Sequence, residues 1–517
     1  MTNTSVETAN VHGAAEGKSK VSGLLSEPLA KEIIEGITAP NLYRAFDDAL
    51  YWFTKINRAH LVMLSEQGLI EVEVAGRLLQ HISDLDQEGS KAFSLDPERE
   101  DPWFNYEAEL TRRAGPEAGR LHMARSRNDL KKTQERMRCI KLAEELVAGS
   151  LAIREALLER AKAEVDTVMP GYTHLQHAQP ITFGWYLLGI EAALSRDTSR
   201  IESALVRMNN CPLGAGAFAG TRFSINRERT AELLGFDGVQ QHSMDAVGNR
   251  DAMVELMSAA MQLSMTIGRM SQDFYLWATY EFGMLEFPDR VASTSSIMPQ
   301  KKNLTVLENL KARPTILLGA MSTAVATLRA VPFGHSQEVS IDSARWVWDS
   351  LEELKGILPA ARVVVECATP RKERMKDLAG ENFCTATALA DLLSSRYGLP
   401  FRQAHHITGR YVRLVLDGNS PQEAIRGAYE EETGQPLDDI ETLLVEALDP
   451  AGILDATTGC GPSRAESDVL HRDGLTRLEK DRKASAERLQ RRASAELQLN
   501  TVSNQLVRKA AEEMAVS

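Results

Sequence analysis

The sequence predicts an all-α protein, three mostly helical domains with a long bundle at the centre, and three observations carry that expectation. Met253, Leu256, Ala260, Leu263, Ile267, Met270, Phe274 and Trp277 step by three and four without a break, a heptad seam about seven turns long. Ile140, Ala143, Val147, Leu151 and Leu158 form a second stripe of the same period. Neither stripe can be buried by its own helix, so both must pack against other long helices. The third observation is punctuation: Gly115-Pro116-Glu117-Ala118-Gly119 and Thr369-Pro370-Arg371 break the helical pattern on either side of the seams. In chain order, residues 1–20 are polar, lack an apolar segment and read as a disordered lead rather than a signal peptide. Residues 21–120 form an N-terminal helical domain, 121–368 the bundle, and 369–477 a smaller helical domain. Residues 478–517 are charged and Ala-rich, and read as an extension of one or two exposed helices.

Composition narrows the function. The net charge of -13 argues against nucleic acid as a partner, because phosphate binding draws on surplus Lys and Arg over one face. No run approaches the roughly 18 apolar residues needed to span a bilayer, so a soluble protein is expected. Cys139, Cys211, Cys367, Cys384 and Cys460 are odd in number, widely spaced and form no C-x-x-C pair, which fits reduced thiols in a cytoplasm and argues against a disulfide framework or a zinc site. Gly214-Ala215-Gly216-Ala217-Phe218-Ala219-Gly220 lacks the Gly-Lys-Ser/Thr ending of a phosphate loop and reads as a close-packed turn. Neither metal nor cofactor is expected.

Chemistry concentrates in Thr294-Ser295-Ser296-Ile297-Met298-Pro299-Gln300-Lys301-Lys302-Asn303, where hydroxyls, two ammonium groups and an amide flank a proline. Such a segment can hold a dianion and remove a proton from it. Ser295 as base needs its alkoxide stabilised by backbone N–H groups or cations, and Lys301 follows closely. The competing reading is a solvated basic turn ahead of a helix.

Two further segments decide between these: His122-Met123-Ala124-Arg125-Ser126-Arg127-Asn128-Asp129, and Met169-Pro170-Gly171-Tyr172-Thr173-His174-Leu175-Gln176-His177-Ala178-Gln179-Pro180. The three together resemble the signature regions of the fumarase/aspartase superfamily. Ser126-Arg127-Asn128-Asp129 and Gly171-Tyr172-Thr173-His174-Leu175-Gln176 look specifically like argininosuccinate lyase and its relatives, among them delta-crystallin and ethylenediaminedisuccinate lyase. Asn210–Ala217 and Ser243–Asp251 match in the same order, and the likeness runs from about Asn57 to about Pro462.

The resemblance implies a homotetramer of three-domain helical subunits, with each active site collecting loops from three of them. It implies a cofactor-free elimination: a proton leaves the carbon beside a carboxylate of an N-substituted aspartate, the C–N bond breaks, and fumarate and an amine depart. Ser295 is the implied base, and Lys301 and Asn303 hold the aci-carboxylate. Ser126, Arg127, Asn128, Thr173 and Ser296 bind the dicarboxylate substrate. Glu308 matches the glutamate that pairs with His174, which assists the proton transfers. For His177 and the acidic residues Glu100, Asp101 and Glu107, a structural role is the stronger reading.

Departures gather on the amine side. Where argininosuccinate lyases carry Tyr, Gln and Lys contacts to the arginine portion, this chain has His335, Ser340 and Ser343. Leu304-Thr305 replaces Pro-Asp, Trp103 replaces a histidine, and Asn57 stands where a substrate-contacting serine is expected. Each unmatched polar group costs about 1–3 kcal/mol, so the implied amine is not arginine, with His335 and Ser340 lining its altered pocket. Argininosuccinate lyase itself and a non-enzymatic crystallin-like protein are the alternatives; the latter has no need of Ser295, Lys301, Asn303, His174 and Glu308.

Overall fold

A computed structural model describes residue 21 and residues 23–516; the expected lead over 1–20 lies outside the described residues. The N-terminal part is built on α1 (Ala39–Glu66) and α2 (Val72–Glu88), followed by α3 (Pro102–Ala114). Helix α3 starts where Pro102 fixes φ in its first turn and Asp101 accepts a hydrogen bond from the Phe104 N–H at 3.2 Å. Phe46, Phe53 and Ile56 on α1 and Trp103 and Tyr106 on α3 close a shared core.

The bundle follows. Helix α4 (Arg127–Ala163) leads to a hairpin of β1 (Val168–Thr173) and β2 (Gln176–Thr182), then α5 (Phe183–Met208) and α6 (Asp251–Trp277). A second hairpin, β3 (Ser293–Thr294) with β4 (Lys302–Asn303), opens into α7 (Thr305–Leu328), and α8 (Val347–Cys367) completes the set. Side-chain contacts fix their directions. Arg154 on α4 meets Glu191 on α5, Tyr186 near the start of α5 meets Trp277 at the end of α6, and Tyr275 on α6 meets Glu308 on α7, so successive helices run antiparallel. Every member of the Met253–Trp277 series and of the Ile140–Leu158 stripe is buried. The period identified the buried faces because a 3.6-residue repeat keeps them on one side of each helix.

Helices α9 (Ala386–Tyr397), α10 (Phe401–Leu416), α11 (Pro421–Thr433) and α12 (Ile440–Leu448) enclose a small separate core of Leu389, Leu393, Ile407, Tyr411, Ile425 and Leu443. The chain then returns to the body as α13 (Arg464–Val516), one helix of 53 residues. Here the structure differs from the expected exposed extension beginning at 478: α13 runs unbroken through that position and lies along α2, α4 and α5. Leu478 and Leu499 are buried. The physical reason is that the helix's charges meet counter-charges on the bundle. Arg154, fully buried, donates to Glu191 at 2.9 Å and to Asp481 at 2.6 Å, and Arg477 pairs with the other oxygen of Glu191 at 2.9 Å. A charged composition therefore concealed a docked face.

Candidate functional site: two ends of one bundle

Two of the motif segments, 294–303 and 169–180, lie at the end of the bundle where α4 and α8 finish and α5 and α7 begin. The β3–β4 hairpin presents residues 295–301 as a solvent-facing loop. Within it the Ser295 Oγ accepts hydrogen bonds from the backbone N–H groups of Met298 at 3.0 Å and Ile297 at 3.4 Å. Two N–H dipoles aimed at one oxygen stabilise negative charge on it, which an alkoxide requires. The two lysines divide their tasks. Lys302 is tied back to the Phe287 carbonyl at 2.6 Å and to Asp289 at 2.8 Å, whereas the exposed Lys301 ammonium makes no ion pair among the described residues. Ser296 is exposed, and Asn303 is half-buried, its backbone paired with Ser293.

His174 and Leu175 are the two turn residues of the β1–β2 hairpin, both at positive φ, 52° and 58°. Such a turn normally takes Asn or Gly, and holding a β-carbon there stores strain of about 1–3 kcal/mol per residue. His174 is exposed at this turn, beside the exposed Thr173. Glu308, in the first turn of α7, accepts a hydrogen bond from the Tyr275 hydroxyl at 3.0 Å, and this bond raises the Tyr275 pKa. Within one chain no hydrogen bond joins Glu308 to His174 among the described residues. His177 is half-buried against Tyr172, their rings 5.4 Å apart.

The remaining site residues lie at the opposite end. Ser126 is the N-cap of α4, its Oγ accepting from the Asn128 N–H at 3.3 Å while Asp129 accepts from the Ser126 N–H at 2.8 Å, a capping box. The pattern Ser-x-x-Asp in the sequence carried that signal. Arg127 donates to Asp101 at 2.9 Å and Glu100 at 3.2 Å and stacks on Phe104. Asn128 donates to the Ala217 carbonyl at 3.0 Å. The second Asp129 oxygen accepts from the N–H groups of Gly214 and Gly216 at 2.9 Å each, holding the glycine turn against the helix start. Gly216 sits at φ 66°, and a β-carbon there would stand 2.7 Å from the Gly220 carbonyl oxygen. Burial raises the Asp129 pKa to about 6 against these three donors.

His335, following α7, belongs to the same end. Its Nδ1 is buried without a partner, and burial, followed by the charges of Arg250, Lys131 and Arg127, lowers its pKa to about 4. Ser340 donates to the Gln337 carbonyl at 3.4 Å, and Ser343 turns inward, 1% exposed, to donate to the Val339 carbonyl at 2.8 Å. At 1.5 Å per residue, the 24 residues of α7 separate Asn303 from His335 by about 36 Å, and the 37 of α4 separate Asn128 from the His174 hairpin by about 55 Å. One chain thus carries two half-sets.

Comparison with known proteins places this arrangement. A model of the lyase family matches residues 36–316, and one of the argininosuccinate lyase C-terminal region matches 383–455. Argininosuccinate lyase 1 of Shouchella clausii is 36% identical over 434 residues, covering 83% of this chain and 87% of its own. The chain belongs to the argininosuccinate-lyase-like branch of the fumarase/aspartase superfamily. Argininosuccinate lyase of Methanocaldococcus jannaschii is 37% identical, with coverage of 82% and 88%. The lyase also superposes on the crystal structure of EDDS lyase in complex with formate, with a TM-score of 0.84 and 31% identity over 93% of this chain and 96% of that one. Class II fumarase from Schistosoma mansoni, 15% identical with a TM-score of 0.65, shares the fold. The protein is a fumarate-releasing carbon–nitrogen lyase.

Sequence reasoning missed two residues of this lyase that the structure makes prominent. Asp129 was read only as part of a motif, although its carboxylate organises the whole α4 start. The other is Arg125, whose guanidinium is buried 4.5 Å over the Trp103 ring. Among the described residues no helix is long and apolar enough to cross a membrane.

Proposed function

We propose that the lyase cleaves an N-substituted aspartate whose amine is not arginine, a small diamine or amino-acid adduct of the ethylenediaminedisuccinate or iminodisuccinate kind. The observation that carries this is the 331–343 segment. At the three positions where the resemblance implies contacts to arginine, Ser343 is buried on its own helical turn, Ser340 is turned to the Gln337 carbonyl, and His335 is a neutral imidazole. None offers the long cationic or amide donor that the wider substrate needs. Ser295 serves as base, with Lys301 and Asn303 on the developing aci-carboxylate and His174 assisting. Asn128, Ser126, Arg127, Thr173 and Ser296 take the succinyl carboxylates. Because the two half-sets stand tens of ångströms apart, the working site forms between subunits of a homotetramer, in the cytoplasm.

Cleavage of argininosuccinate is the second reading, favoured by the names of the curated relatives. Fumarate absorbance, followed with argininosuccinate, ethylenediaminedisuccinate, iminodisuccinate and adenylosuccinate in parallel, separates the two. Fumarate from a small adduct with argininosuccinate inert is expected. Fumarate from argininosuccinate alone would overturn the proposal.

A further inference from the structure

Among the described residues, a cluster of unpaired buried polar groups lies behind the start of α4, beside α1 and α3. Asn57, Trp103 and Tyr106 are at most 1% exposed and Arg125 is 7% exposed. All three Arg125 guanidinium nitrogens, the Trp103 indole N–H, the Tyr106 hydroxyl and both ends of the Asn57 amide lack a well-formed hydrogen bond. They are mutual neighbours. The guanidinium lies 4.5 Å over the Trp103 ring, Trp103 stacks on Tyr106 at 5.8 Å and on His122 at 5.4 Å, and the Asn57 amide lies beside the Tyr106 hydroxyl.

Donors outnumber acceptors in this set: a guanidinium, an indole N–H, a phenol O–H and an amide NH2 donate, against the amide and phenol oxygens. The histidines add no competing charge: His60 gives its Nε2 proton to the Met123 carbonyl at 2.8 Å, and burial first, then Arg125, lowers its pKa to about 3, while His122 is lowered to about 4 for the same reasons. Two carboxylates are close enough to act on Arg125, Asp129 and Glu107. Asp129 spends both oxygens on backbone N–H groups, and Glu107 forms no ion pair with Arg125. A buried cation without a paired anion is strongly disfavoured, and here the donors surrounding it converge from two helices and a loop.

We propose that Arg125, Trp103, Tyr106 and Asn57 form an internal site for a small monovalent inorganic anion of halide size. Burial beside the Trp103 and Tyr106 rings favours a small occupant, and the unpaired donors would replace part of its hydration shell. Because Arg125 directly precedes the Ser126 N-cap, the bound ion fixes the loop that sets Ser126, Arg127 and Asn128. The site is a positioning device.

The test uses the full chain. Crystals grown in sodium bromide are measured at the bromine absorption edge, and thermal unfolding is followed in sodium bromide against sodium gluconate at equal ionic strength. An anomalous peak among Arg125, Trp103 and Tyr106 is expected, with a saturable rise in Tm of about 1–3 °C. That rise is lost in Arg125→Met and, should that variant not fold, in Tyr106→Phe. A map showing bromide on the protein surface but water, or the Glu107 carboxylate, against Arg125 would overturn the proposal. So would a bromide-dependent rise that survives Tyr106→Phe unchanged.

Discussion

In the proposed mechanism Ser295 is the base that starts the elimination. The two backbone N–H groups that reach it favour its anionic form, so Ser295→Ala is expected to lower fumarate release by at least about 1,000-fold, as loss of a catalytic group does, with unchanged circular dichroism. Turnover within tenfold of wild type would remove Ser295 as base. A second residue-scale expectation concerns acid. His60, His122 and His335 are held at about 3, 4 and 4, burial being the first cause in each. Between those values and the ordinary imidazole value near 6.5 the folded chain binds fewer protons than the unfolded one, so stability rises with pH across that window and is lost as pH falls through it. Asp129, raised to about 6, acts in the opposite sense between about 3.8 and 6, since folded it keeps a proton that the unfolded chain has released. Glu107, Glu202 and Asp273, also raised by burial, act in the same sense as Asp129, but the three histidines carry larger shifts, and the urea midpoint should fall from pH 6.5 to pH 4.5. His60→Asn, which keeps a donor for the Met123 carbonyl, should flatten that fall. An identical slope in the variant would show that His60 titrates normally in the fold.

Among the elements, α13 changes most when seen in three dimensions. Its Asp481 is a partner of the fully buried Arg154, and its Leu478 and Leu499 are buried. Deleting residues 478–517 leaves part of that guanidinium unpaired, a loss of about 3–5 kcal/mol before any apolar contact is counted. The truncated chain should unfold well below the full one in a thermal melt, or aggregate on expression. A Tm within 2 °C, roughly 2 kcal/mol or less for a chain of this size, would mark the segment as dispensable. The bundle helices behaved as their periodicity required: Leu256, Leu263 and Phe274 are each fully buried because a heptad seam has one face to hide. The hairpins were harder to foresee. Nothing in Thr173-His174-Leu175-Gln176 announces a two-residue turn, since neither turn residue favours positive φ, and only the pairing of β1 with β2 forces it.

For the whole molecule, helix lengths separate the residues of the proposed site. Asn128 lies at one end of α4 and the His174 hairpin at the other, so the proposed site requires more than one subunit. Two inactive variants, Ser295→Ala and Asn128→Asp, altered at opposite ends, should recover part of the wild-type rate when their subunits are exchanged. Full subunit exchange, verified by mass, without any recovery would mean that both residues act within one subunit's site.

The sequence by itself determined the helical class, the buried faces of the long helices and the membership of the three motif segments in one lyase superfamily. These depend on local periodicity and on contiguous residues, both of which survive in a linear string. Tertiary structure alone decided that Lys302 is tied to Asp289 while Lys301 makes no ion pair among the described residues, that α13 is docked rather than exposed, and that Arg125 is buried among donors. Each of those depends on which distant backbone or side chain arrives beside the residue, and hydrogen bonds and ion pairs act only over a few ångströms.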